Sequence, residues 1–187
     1  MNISILETDL VIFEPISVMD ANFIYDLRTN KRNNFLKPIS EDLNDQKIFI
    51  NNYLKEFDKG DQIYYKIFEK KSSKKVGLVR ITNLKNEKKR VGWESLIISD
   101  KAYATTGLDV IFSIYILVFK ILKNDFLGPW LVRKENNAMM KIHKFMDIVT
   151  ILEETSKNYK LEVKKNNFLV RDEYFFKLGF GRLKIRN

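Results

Sequence analysis

The stretch from Gly92 to Leu122, GWESLIISDKAYATTG followed by LDVIFSIYILVFKIL, constrains this chain more than any other. An apolar strand runs out at Ser99, a short polar turn follows, and Thr105, Thr106 and Gly107 open a long apolar helix. The first N–H groups of such a helix have no internal acceptor, so its mouth is an anion site. Leu108, Ile111, Phe112, Tyr115, Val118, Phe119 and Leu122 recur at i, i+3, i+4 and i+7. Asp109 and Lys120 bracket the run, which stays short of the roughly 18 charge-free residues of a membrane span. The helix belongs to a protein core.

The rest of the chain arranges itself around that strand and helix. Alternation from Asp9 to Glu14, ended by Pro15, predicts a first strand. Ser17 with Asp20 three residues on predicts a capped helix to about Leu27. A polar, aromatic-tipped loop from Arg28 to Pro38 precedes a second helix over 42–57. Runs at 62–70, 74–84 and 90–99, joined by polar turns, predict an antiparallel meander. After the long helix, Gly128-Pro129 predicts a break, Trp130 to Val132 a short strand, and Glu135-Asn136 the start of a helix to about Met146. Segments 148–154 and 159–163 read as a hairpin, and 165–178 as a last helix capped by Gly179. Strand, helix and strand over 92–132 predict a parallel crossover in an otherwise antiparallel sheet, hence an α+β, three-layer fold with helices on both sheet faces.

The totals narrow the function. With 187 residues, 45% apolar and no composition break, the chain suits one domain, with a core at about 9–163 and a tail at 164–187. Cysteine is absent, which excludes disulfides and thiolate chemistry, and His143 is the lone histidine. Glu7 and Asp9 stand where a secretion signal would be basic and then apolar, so the expected location is cytoplasmic. The net charge of +9 favours anionic partners. However, the lysines fall in scattered pairs (70-71, 74-75, 88-89, 164-165), which reads as solvated surface rather than a nucleic-acid footprint.

This order of elements, with four of its motifs, resembles the GCN5-related N-acetyltransferase (GNAT) superfamily, and within it the ribosomal-protein-alanine and nucleotide-sugar amine acetyltransferases. The motifs are the strand 92–99, the turn and helix start after it, Val132-Arg133-Lys134-Glu135-Asn136-Asn137-Ala138, and Lys141-Ile142-His143-Lys144-Phe145. Leu27 to Asn30, Asn34 to Leu36, Gln46 and Tyr53 look like the substrate side of the sugar-acetylating members. Two departures stand out. The phosphate loop, Ala102-Tyr103-Ala104-Thr105-Thr106-Gly107, has one glycine where the family usually has more, and Phe145-Met146-Asp147 replaces the glycine that normally ends the fourth helix.

The resemblance implies acetyl-CoA as co-substrate, with no metal needed and a primary amine attacking the thioester directly. The pantetheine arm would pair with Leu96, Ile97, Ile98 and Ser99, the pyrophosphate would sit on Thr105, Thr106, Gly107 and Leu108, and Asn136 would cap its helix and contact the cofactor. Glu94 is the candidate base, made more basic by desolvation among Trp93, Leu96 and Ile97; the alternative is an outward carboxylate on an alternating strand paired with a lysine. His143 stands where many relatives carry the tyrosine that protonates the leaving thiolate, and is otherwise structural. Arg28, Asn33, Asn34, Phe35 and Trp93 are the candidate substrate contacts, suiting a nucleotide-linked amino sugar of bacterial surface-glycan synthesis. An N-terminal protein acetyltransferase and a non-catalytic binding domain of the same fold are the alternatives. The aromatic tail suits packing across a homodimer or over the acceptor site.

Overall fold

The computed structural model describes residues 5–30, 35–36, 38–40, 42–57 and 59–186. Its elements are β1 (Ile5–Glu7), β2 (Val11–Pro15), a 3-10 turn (Val18–Asp20), α1 (Ala21–Thr29), α2 (Leu43–Phe57), β3 (Ile63–Glu69), β4 (Lys74–Thr82) and β5 (Arg90–Ile98). There follow α3 (Thr106–Ile116), running on into a π turn (Leu117–Ile121), β6 (Phe126–Arg133), α4 (Asn137–Met146), β7 (Val149–Glu154), β8 (Asn158–Lys164), α5 (Lys165–Lys177) and β9 (Lys184–Arg186). The strands form one nine-stranded sheet in the order β7-β8-β6-β5-β4-β3-β2-β1-β9. Every pairing is antiparallel except β5 with β6, the crossover spanned by α3. No helix of the described residues is long and apolar enough to cross a membrane.

Strand alternation feeds two cores, one on each sheet face. Tyr65, Ile67, Val79, Ile81 and Trp93 pack with the apolar stripe of α3 and with Phe168 and Phe175 of α5. Tyr64, Leu78 and Ile97 pack with Ile24 and Leu27 of α1 and with Ile50 and Tyr53 of α2. Helices thus cover both faces, the α+β three-layer arrangement. Docking of α2 is completed by Tyr53, whose hydroxyl accepts the Tyr64 N–H at 2.7 Å.

Two expectations are corrected. Gly128-Pro129 does not break the chain before a short strand but lies inside β6, at an irregularity in its pairing with β8, where a lost N–H costs no ladder bond. The tail does not cross the sheet to the acceptor side, because Phe168 and Phe175 bury against Phe112 of α3, with ring centroids 5.6 and 4.8 Å away. Beyond α5 it adds β9 to β1, widening the sheet by two strands of three residues each, too short to show a period.

Candidate active site

The site begins with a register slip. On β4 and β5, Leu78 faces Ile97 and Arg80 faces Glu94, so Ser95 and Leu96 together oppose Val79. Ser95 takes φ 54, the left-handed conformation of a bulge. One extra residue reverses the alternation: Trp93 and Ile97, four apart, pack into the cores on opposite faces. Glu94 therefore points toward the α1–α2 side, away from Trp93.

Beside the bulge the sheet opens. β5 pairs with β6 only at Arg90 with Phe126 and Val91 with Leu127, after which β6 continues to Arg133 along β8. Among the described residues, the β5 edge beyond Val91 has no strand partner on that side. Arg90 pins the base of the gap: it pairs with buried Glu162 of β8, donates to the Gly128 carbonyl at 3.3 Å, and lies over the Phe126 ring at 4.5 Å. An extended ligand backbone fits an edge of this kind by adding to the sheet.

On the α3 side of the gap lies the helix mouth. Thr105 is exposed and Gly107 and Leu108 are half-buried, whereas Thr106 is buried. The Thr106 hydroxyl donates to Glu69 at 2.5 Å, and the same carboxylate oxygen accepts the Tyr103 N–H at 2.9 Å. Ser72 donates to the other oxygen at 2.7 Å. Burial alone would raise the Glu69 carboxyl, but these donors and nearby Lys71 hold it below the usual carboxylate range. The Thr106 hydroxyl, which could donate to a phosphate beside the main-chain N–H groups, is committed to Glu69, and the Thr106 N–H donates to the Tyr103 carbonyl at 3.0 Å. Glu69 does for this loop what extra glycines do not: it fixes the turn from inside.

Farther along the gap, Asn136 caps α4 by accepting the Met139 N–H at 3.1 Å. Asp147 takes the left-handed position at the helix end, φ 53, that glycine usually fills. His143 is 3% exposed, its ring centroid 5.6 Å from Trp130 and 6.3 Å from Trp93. Neither imidazole nitrogen has a hydrogen-bond partner, and burial lowers its pKa to about 4. The imidazole is neutral, able to offer one N–H donor and no spare proton. Trp93, expected on the substrate side, is buried at 4% with Tyr115 and His143 because its strand parity turns it to the α3 face.

The opposite side of β5 carries a cavity of about 490 Å³. Arg28 lines it from α1, Leu36, Pro38, Ile39 and Ser40 from the α1–α2 connection, Asp45, Gln46 and Phe49 from α2, and Arg80, Glu94 and Ser95 from the sheet. Arg28 donates to the Ser95 hydroxyl at 3.4 Å, tying the end of α1 to the bulge. Glu94 is 53% exposed and forms an ion pair with Arg80. The burial among Trp93, Leu96 and Ile97 expected of Glu94 is thus absent; a charge partner stands beside it. Phe35 is half-buried and does not line the cavity, and Asn33 and Asn34 lie outside the described residues. The structure brings Arg28, Glu94 and Gln46 together, and adds Arg80 and Asp45, which sequence reasoning missed. Arg80 had a signal: it is the lone charge in the apolar run from Val76 to Ile81.

A bulged strand splayed from its parallel neighbour, a helix mouth on one face and a polar cavity on the other make up the framework of the GCN5-related N-acetyltransferases, and this chain has their fold. Solved structures bear this out. Apo FdhC, a nucleotide-linked sugar GNAT, superimposes with a TM-score of 0.79 over 96% of this chain and 98% of its own, at 20% identity. A GCN5-related N-acetyltransferase from Brucella melitensis gives 0.73 over 95% and 86% at 11% identity. Spermidine N-acetyltransferase from Vibrio cholerae, in complex with CoA and spermine, gives 0.70 over 85% and 98% at 13% identity. No family model and no curated protein matches the sequence.

Proposed function

We propose that this protein is an acetyl-CoA-dependent N-acetyltransferase acting in the cytoplasm on a primary amine, most fittingly that of a nucleotide-linked amino sugar. The observation that carries the reading is the unpaired β5 edge beside the Ser95 bulge, with a helix mouth at one end and the Glu94 cavity on the other face. Bound acetyl-CoA supplies an activated acyl group that an amine attacks without a protein nucleophile. Leu96, Ile97, Ile98 and Ser99 offer backbone groups to the pantetheine arm, and Thr105, Gly107 and Leu108 offer N–H groups to its pyrophosphate. Glu94 takes the ammonium proton from the acceptor, while neutral His143 donates a hydrogen bond toward the departing sulfur. Glu94 and His143 stand on opposite faces of β5, so they act on one reaction only through the gap between β5 and β6.

The cavity supports this acceptor class. Arg28 and Arg80 balance Asp45 and Glu94 there, so it does not present the acidic wall that a polyamine requires, and Arg28 suits a phosphate bound bidentately. FdhC, described as a nucleotide-linked sugar GNAT, supports the same choice.

The test is thermal unfolding with acetyl-CoA, with CoA, and with duplex DNA as control, followed by acceptor screening. A ligand at a hundred times its Kd stabilises by about 2.7 kcal/mol, several degrees for a chain of this size. Glu94→Gln then lowers kcat by about a hundredfold or more without changing the acetyl-CoA shift. No shift with acetyl-CoA, or a shift only with DNA, sinks the enzyme reading.

A further inference from the structure

We infer that Arg80 makes the acceptor's own negative charge a requirement for activating Glu94: an anionic group on the acceptor takes the guanidinium, and the carboxylate it releases becomes the base. The inference rests on Glu94 being the base of the proposed transfer. Arg80 and Glu94 face each other in register across β4 and β5, at the last paired position before the bulge. Their ion pair lies within the cavity wall, with the Arg80 side chain 23% exposed. The guanidinium occupies one oxygen of the carboxylate and stands where an acceptor's ammonium would approach it. The pair therefore competes with the acceptor's ammonium for Glu94 for as long as it persists.

Something must take its place. The Arg80 Nε–H is buried with no hydrogen-bond acceptor, so the guanidinium has an unused donor beside the one engaged by Glu94. A phosphate or carboxylate has the oxygens to bridge two guanidinium donors, which one oxygen of Glu94 does not do. Arg28 reaches the same cavity from α1 and adds a second cationic group for the same anion. An amine without an anionic group offers nothing to exchange. A polyamine is worse, since it competes with Arg80 for Glu94 and traps the carboxylate in a second ion pair. The proton passed to Glu94 comes from the acceptor's ammonium, so no further reactant enters the step.

The experiment compares kcat/KM for a panel of UDP-linked 2-, 3- and 4-amino sugars with that for the methyl glycosides of the same sugars, with acetyl-CoA saturating. It uses the wild-type chain, Arg80→Met, Arg80→Lys and Glu94→Gln. In the wild type the UDP-linked form of the accepted sugar is favoured by more than tenfold. In Arg80→Met the methyl glycoside gains rate while the UDP-linked sugar loses it, so the ratio collapses toward one. Arg80→Lys, which keeps the charge and loses the fork, falls between, and Glu94→Gln depresses both acceptors. Thermal unfolding with acetyl-CoA confirms that each variant is folded and competent to bind. An unchanged ratio in Arg80→Met, or equal loss on both acceptors, overturns the inference while leaving the acetyltransferase reading intact. Failure of every amine with acetyl-CoA bound overturns both.

Discussion

Gly107 separates what the fold requires from what a ligand requires. It is the second residue of α3 and has ordinary negative φ, and a methyl group added to it would meet only the Ile98 side chain, at 3.9 Å. Nothing inside the molecule asks for glycine there, and in a helix glycine costs about 0.5–1 kcal/mol relative to alanine. Gly107→Ala is therefore expected to leave the fold as stable or up to about 1 kcal/mol more stable, by urea titration, while weakening acetyl-CoA several-fold by calorimetry. Unchanged affinity would remove the helix mouth from the binding site. The sequence pointed to the helix start but not to the partner of the Thr106 hydroxyl, for one reason. Helix-start chemistry is local and legible, but the Glu69 carboxylate that claims the Thr106 hydroxyl comes from a strand 37 residues earlier.

At the scale of elements, the placing of α1 decides whether Arg28 reaches the bulge. Asp20, at the end of the 3-10 turn, is the clamp: its side chain is 1% exposed and takes Lys66 of β3 at 2.9 Å, Lys75 of β4 at 2.6 Å and the Ser17 N–H at 2.9 Å. Burial alone would raise its pKa, but the hydrogen bonds from Lys75, Lys66 and Ser17 bring it down to about 2. Sequence reading found the Ser17–Asp20 capping box yet not the two lysines, because a local motif shows nothing of the sheet beneath it. Asp20→Asn leaves Lys66, only 13% exposed, with Glu14 at 3.7 Å as its remaining charge partner, and is expected to cost about 2 kcal/mol in urea unfolding. A loss below about 1 kcal/mol would mean that the lysines find solvent instead. The meander, the crossover and the last helix were legible from period and turn chemistry. The bulge at Ser95 was not, because no residue in Glu94-Ser95-Leu96 announces positive φ; it placed Trp93 on the wrong side and hid the pairing of Arg80 with Glu94.

Across the whole molecule, the positive charge is dispersed rather than gathered. Lys70 with Glu7 and Arg182 with Asp9 lie beside the β1–β2 turn and Lys160 with Glu153 at the opposite edge of the sheet, surface pairs each worth a fraction of a kcal/mol at most. The net charge therefore speaks to solubility more than to a macromolecular partner. The global property that one residue controls is the acid limb of stability. His143 is the lone histidine of the chain, and burial depresses its pKa from 6.5 to about 4. Between those values the unfolded chain holds a proton that the folded chain does not, so stability rises with pH and is lost as pH falls from about 6.5 toward 4. At roughly 1.4 kcal/mol per pH unit, going from pH 7 to pH 4.5 removes about 2–3 kcal/mol through this group. Asp109, raised by burial despite the Thr8 hydroxyl, has the opposite sign and gains stability as pH falls, so the wild-type curve alone is ambiguous. His143→Phe resolves it, because the Asp109 contribution is common to both proteins and the packing cost of the larger ring does not depend on pH. Subtracting the two urea-derived curves is expected to leave a variant favoured by about 2–3 kcal/mol more at pH 4.5 than at pH 7. Parallel curves would mean that the imidazole is solvated in the folded state and already takes its proton there, which would return it to the reaction as a true acid. A sloped difference with acetyl transfer reduced at pH 7 is the outcome expected of a neutral donor.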